Sequence, residues 1–144
     1  MGTRAIYTFE DNKRDLPEDA RHMAESIDVY KHYDGYPQGA SGFIENALDF
    51  AWQLPRFEAD EFAAAFVAAN KDKNGGGIHL TNHADSYDVD WRYYITFAKN
   101  SGRLMVTAYE RDYDETRDSL HIGDFHFFDR GTFTLEDFSK WANQ

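Results

Sequence analysis

The stretch Val89-Asp90-Trp91-Arg92-Tyr93-Tyr94-Ile95-Thr96-Phe97-Ala98 sets Val89, Trp91, Tyr93, Ile95 and Phe97 at alternate positions. Successive side chains of a strand point to opposite faces, so this period of two predicts a strand with an aromatic inner face and a polar outer one. An inner face of that size needs a layer of helices to cover it. The sequence supplies one upstream. Phe43, Ala47, Phe50 and Leu54 recur at spacings of four, three and four, which predicts a helix over 38–53 with these residues as its buried stripe. Leu54-Pro55 closes it, because proline disfavours helix in the residue before it. Residues 58–70 predict a second helix, with Phe62, Phe66 and Ala69 inward. Its acidic first turn and the following Lys71 and Lys73 both suit the helix dipole.

Working outward, residues 3–10 alternate (Ala5, Tyr7 and Phe9 against Arg4, Ile6 and Thr8) and predict a strand. Polar residues 11–25, with Pro17, leave room for a short helix over 18–24, and residues 26–33 read as a second strand. Asp34-Gly35-Tyr36-Pro37 is a turn, since glycine permits positive φ and proline cannot donate to a ladder. After the glycines at 75–77 come strands over 78–81, 89–98, 103–110 and 120–128, with a turn at 100–102 and an acidic loop at 111–118. Thr134-Leu135-Glu136-Asp137 resembles a capping box and opens a last helix through Trp141. The order ββααββββα predicts a single α+β domain over 1–144. Its antiparallel sheet has five to six strands, with two central helices and a C-terminal helix on one face.

Composition narrows the function. Fifteen Lys and Arg stand against 26 Asp and Glu, for a net charge of −11, so sequence-independent nucleic-acid binding is disfavoured. The carboxylates are dispersed, densest from Glu110 to Asp118, which reads first as solubility and second as attraction to a basic partner surface. With no cysteine, a disulfide scaffold, a cysteine zinc site and a thiol nucleophile are excluded. No run of about 18 apolar residues predicts a membrane span. Residues 1–4 do not read as a signal peptide, and Ile6 breaks the myristoylation pattern, so a cytoplasmic protein is expected. No nucleophile elbow, Walker loop, dinucleotide fingerprint or His-Glu-x-x-His occurs, and no cofactor is expected.

The distinctive chemistry lies at Tyr30-Lys31-His32-Tyr33-Asp34-Gly35-Tyr36-Pro37-Gln38-Gly39. This segment joins a strand to a helix whose N-terminal N–H groups and partial positive charge attract anions. Arg4, Lys31 or His32 neutralises such an anion, tyrosines 30 and 36 offer faces for stacking, and Gly39 allows close backbone approach. Arg4, Tyr30, Lys31, His32, Asp34, Gly35, Tyr36 and Gly39 therefore make a candidate site for a small anionic or nucleotide-like ligand across 30–41. The same residues also read as a tight turn with packed aromatics. His79, His83 and Asp85 are a weaker metal candidate, Asp124 and His126 an acid–base pair on one strand face, and Asp112, Asp114 and Glu115 an imperfect calcium-loop pattern.

The opening Met1-Gly2-Thr3-Arg4, followed by Tyr30-x-His32-x-Asp34-Gly35-Tyr36-Pro37-x-Gly39, resembles a group of small, mostly uncharacterised bacterial and phage proteins. The resemblance covers roughly the first third of the chain, with a longer polar segment at 11–25 between its two parts. It implies that Arg4, Tyr30, His32, Asp34, Gly35, Tyr36 and Pro37 belong to one site and that the source is a phage or prophage. It brings no activity with it. Three functions are weighed: a non-enzymatic binding protein with its site at 30–41, an acidic inhibitor or decoy covering a basic nucleic-acid-handling surface of a host defence protein, and a small enzyme with His32 or His126 as general base.

Overall fold

The computed structural model describes residues 3–12, 16–50, 58–71, 77–98, 103–113 and 126–144. The alternating segment at the N-terminus forms β1 (Ala5–Glu10), which pairs antiparallel with β2 (Ser26–Lys31) from Ala5↔Lys31 to Glu10↔Ser26. A 3-10 turn at Glu18–Met23 lies within the connection, close to the predicted short helix. Two helices follow, α1 (Pro37–Phe50) and α2 (Ala59–Asn70), then β3 (Ile78–Thr81), β4 (Trp91–Ala98), β5 (Arg103–Arg111), β6 (Phe127–Thr134) and α3 (Leu135–Ala142). The six strands lie in the order β3-β2-β1-β4-β5-β6 in one open sheet.

This is the expected α+β domain, with one correction to the sheet. β1 and β4 run parallel, in register from Ala5↔Trp91 to Phe9↔Ile95, while every other neighbouring pair is antiparallel. The sheet is therefore mixed. The cause is the connection at 82–90. β3 extends the sheet beyond β2, and the chain must then recross β2 and β1 to reach the far side of β1. It crosses the back face, where Ala84 and Val89 bury against Ile6 beside Tyr30 and Tyr87. Hydrogen bonds from the Asp90 and Trp91 N–H groups to the Arg4 carbonyl, at 2.9 and 3.3 Å, seat the incoming strand beside β1. Val89 consequently belongs to the back cluster and not, as alternation suggested, to the face of Trp91 and Tyr93.

The front face carries the main core. Ala5, Tyr7, Phe9, Val29, Tyr93, Ile95 and Val106 are fully buried there beneath Ile44, Ala47, Phe66 and Phe138 of the helices. Tyr7 lies against Phe66 at 4.6 Å and Tyr93 at 5.2 Å between ring centroids. α2 buries Phe62 and Phe66 as its spacing required. α1 departs from expectation: it buries Ala40, Ser41, Ile44 and Ala47, while Phe43 is half-buried and Phe50 is 65% exposed. α3 begins with the expected cap, the Thr134 hydroxyl accepting from the Asp137 N–H at 3.2 Å. The helix stop at Leu54-Pro55, residues 74–76, the turn at 100–102, residues 114–125 and with them Asp114, Glu115 and Asp124 lie outside the described residues. No helix among those described is long and apolar enough to cross a membrane.

Candidate functional site

The junction between β2 and α1 is stitched into the fold by its backbone. The His32 N–H donates to the Gly77 carbonyl at 2.7 Å, extending the contact with β3 one step past Lys31. Asp34 takes a positive φ of 55° and reverses the chain. Gly35 then donates its N–H to the Thr3 carbonyl at 2.7 Å and accepts from the Tyr93 hydroxyl at 2.6 Å. A Cβ at Gly35 would lie 2.7 Å from Ala5 Cβ, so the turn sits directly on β1. α1 starts at Pro37, which suits a first helical turn. Gly39 lets the first turn close on the loop: a Cβ there would overlap the Asp34 carbonyl oxygen.

The structure divides the eight predicted residues. Lys31 faces the helices, is only 6% exposed, and holds its Nζ 4.1 Å from the centre of the Phe43 ring. Gly35 and Gly39 serve close packing. Asp34 and Tyr36 are exposed on the turn. Arg4, Tyr30 and His32 meet elsewhere, on and beside the back face. There the Tyr30 ring centre lies 5.1 Å from that of His79 and 4.8 Å from that of Tyr87, inclined by 23° and 29°, and His79 and Tyr87 close the triangle at 6.1 Å. Its hydroxyl hydrogen-bonds His32 Nδ1 at 2.7 Å, and the His32 ring meets Tyr33 edge-on at 4.9 Å. Burial raises the Tyr30 pKa, and the Arg4 guanidinium opposes that rise, so the hydroxyl is neutral at physiological pH.

His79 and Tyr87 were missed as partners because only strand register brings them in. His79 is the cross-strand partner of Tyr30, and Tyr87 arrives on the crossover. The crossover also orients Arg4. Asp90 accepts from the Arg4 N–H at 3.0 Å, and Asp88 forms ion pairs with the Arg4 and Arg111 guanidinium groups, 3.7 Å away in the case of Arg4. The result is a cluster of three rings, Tyr30, Tyr87 and the exposed His79, with the exposed His32 imidazole and the part-exposed Arg4 guanidinium at its edge.

His83 and Asp85 part from His79. The His83 N–H donates to Thr81 Oγ1 at 3.0 Å, and Asp85 pairs with Arg92 at 2.8 Å. Among the described residues no three His, Cys, Asp or Glu side chains gather to hold a metal. His126 uses its carbonyl to accept from the Asp112 N–H at 2.8 Å.

The remainder of the back face carries a row that no linear motif displays. Register places Thr81, Asp28, Thr8, Tyr94, Thr107 and Thr132 side by side across all six strands. Thr8 donates to Asp28 at 2.6 Å, and the Thr107 and Thr132 hydroxyls are 2.9 Å apart. Three adjoining cavities of about 430, 410 and 510 Å³ open along this side of the sheet, and Glu10 lines all three. No family model, curated protein or solved structure matches the chain.

Proposed function

We propose that this is a non-enzymatic binding protein whose ligand is a small flat anion of the nucleotide type. The observation that carries the reading is the three-ring cluster of Tyr30, His79 and Tyr87, each ring in contact with the other two, with the Tyr30 hydroxyl on His32 Nδ1. Stacked aromatic and imidazole rings match a planar ligand, and their edges and faces favour a base or similar π-system. The anionic part is matched by the guanidinium of Arg4 and by ring N–H groups of His32 and His79, which can donate to an anion's oxygens. Against a chain of net charge −11, the Arg4 guanidinium, with that of Arg111 beside it across Asp88, is the local positive charge that attracts an anion. The site lies beside the 30–41 junction and shares Arg4, Tyr30 and His32 with it, while α1 itself takes no part.

Titration with adenosine monophosphate, followed by the imidazole proton signals of the histidines, tests the reading. Saturable shifts of His32 and His79, lost in Tyr30→Leu, are expected. Adenosine without phosphate should bind more weakly, and Arg4→Met should narrow that gap. Absence of any saturable shift up to millimolar nucleotide would remove the proposal.

A further inference from the structure

We infer that Asp88 occupies the place of the ligand's phosphate, and that a phosphomonoester dianion binds by displacing it from between the Arg4 and Arg111 guanidinium groups. The inference rests on the nucleotide-type reading above and adds to it a second cation, a charge requirement and a built-in competitor.

The clamp is set by the sheet and not by Asp88. Arg4 and Arg111 flank Asp90 on neighbouring strands. The Asp90 N–H donates to the Arg4 carbonyl, and the Arg111 N–H to the Asp90 carbonyl, each at 2.9 Å. The two cationic side chains are thereby brought together whatever lies between them. Burial, and after it the Arg4 charge, lower the Arg111 pKa, as expected of like charges held within reach of each other. The Arg111 guanidinium also lies 4.9 Å from the Tyr113 ring centre, a contact that helps to hold it in place.

Both side chains converge on one carboxylate. Asp88 Oδ1 pairs with Arg111 Nη1, and Asp88 Oδ2 lies 3.7 Å from Arg4 Nη2. Each oxygen serves a different guanidinium, which is how a phosphate bridges two arginines. Three features make Asp88 a surrogate for that phosphate. First, its side chain is 59% exposed and can swing into water at little cost, whereas the Arg111 side chain beneath it is only 10% exposed. Second, one carboxylate returns a single negative charge to two guanidinium groups, and the nearby Asp90 carboxylate is engaged by the Arg4 N–H instead. A phosphomonoester brings a charge of about −1.5 to −2 and three acceptor oxygens. Third, Asp88 directly follows Tyr87, so a phosphate in its place lies beside the rings that take the flat part of the ligand. While Asp88 is seated, it lowers the apparent affinity by the fraction of time it fills the clamp.

The test is calorimetric titration of the intact protein, wild type and Asp88→Asn, at about pH 7.5, where a phosphomonoester is dianionic. The probes are adenosine monophosphate, its phosphate methyl ester, adenosine and inorganic phosphate. Asp88→Asn should bind adenosine monophosphate and inorganic phosphate about fivefold tighter than wild type, or more. Arg111→Gln should weaken adenosine monophosphate about tenfold. Wild type should prefer the monophosphate to its methyl ester, which carries less charge. Unchanged or weaker phosphate binding by a folded Asp88→Asn would make Asp88 a plain tie of the crossover to the sheet. That result overturns the inference even where adenosine monophosphate still shifts His32 and His79. Tighter phosphate binding by Asp88→Asn with no binding of adenosine supports the displacement and removes the flat-ligand reading. If melting curves show Asp88→Asn unfolded, Asp88→Ser replaces it. Equal wild-type affinity for the monophosphate and its methyl ester overturns the inference without any variant.

Discussion

Tyr7 and Tyr93 stack at 5.2 Å in the core, yet their hydroxyls have opposite fates. Tyr93 donates to the carbonyl of buried Gly35 at 2.6 Å, whereas the fully buried Tyr7 hydroxyl has no hydrogen-bond partner among the described residues. One oxygen fastens the turn before α1 to the sheet; the other stabilises nothing.

Phenylalanine at each position should separate the two. Tyr93→Phe leaves the Gly35 carbonyl buried and unsatisfied and should cost about 1–3 kcal/mol. Tyr7→Phe removes an unsatisfied group and should be neutral or slightly stabilising. Denaturant melts of both variants check this, and a larger loss for Tyr7→Phe would contradict the assignment.

Gly39→Ala offers a contest between two effects. In a helix interior alanine is favoured over glycine by about 1 kcal/mol. Here the new Cβ would run into the Asp34 carbonyl, and backbone cannot swing aside as a flexible side chain can. The clash should win, with a net loss of about 1–3 kcal/mol. Gly42→Ala, where a Cβ meets nothing within 4 Å, should instead be stabilising, and the two thermal shifts together check the claim.

Glu25 gives a pH-dependent prediction. The carboxylate of Asp60, foremost, and those of Asp11 and Glu58 push its carboxyl above the ordinary glutamate value. A carboxyl raised on folding stabilises fully only below its unfolded pKa, and that contribution is lost as pH rises through the folded value. At neutral pH the charged Glu25 therefore opposes folding. Glu25→Gln should raise the melting temperature near pH 7, and the advantage should vanish near pH 3; calorimetry at both pH values measures it.

Thr134→Ala should cost about 1 kcal/mol by removing the acceptor of the Asp137 N–H. Thr134→Ser should restore most of it, because serine carries the same acceptor. Equilibrium urea unfolding resolves a difference of that size.

How far the fold was legible depended on whether a signal was local. The alternation of Trp91, Tyr93 and Ile95 fixed a strand face without reference to anything distant, and the Thr134 cap is a four-residue affair. On α1 two overlapping stripes were available, Phe43-Ala47-Phe50 and Ala40-Ile44-Ala47. Side-chain size favoured the first; the space over the sheet took the second, and Phe50 turned outward. Parallel pairing of β1 with β4 could not be read at all, since residues 82–90 resemble a simple link and not a crossing of two strands. The same blind spot governs the candidate site. Tyr30 and His32 are neighbours in the sequence, but His79 and Tyr87 join them only through register and the crossover, which also carried His83 and Asp85 away from His79.

The parallel pair also has a consequence for how the chain is made. β1 is an interior strand, and the hydrogen bond from Arg4 to Asp90 that seats its second neighbour spans 86 positions. A nascent chain completes the hairpin with β2 early, but the other edge of β1 waits for β4 to be synthesised. At about 5–20 residues per second, that wait is about 4–17 seconds. Throughout it, the ribosome-bound fragment displays a row of unmatched N–H and C=O groups between apolar side chains, a template for pairing with a neighbouring nascent copy. Translation speed between codons 11 and 91 is thus a determinant of yield, and slowing there should favour aggregation.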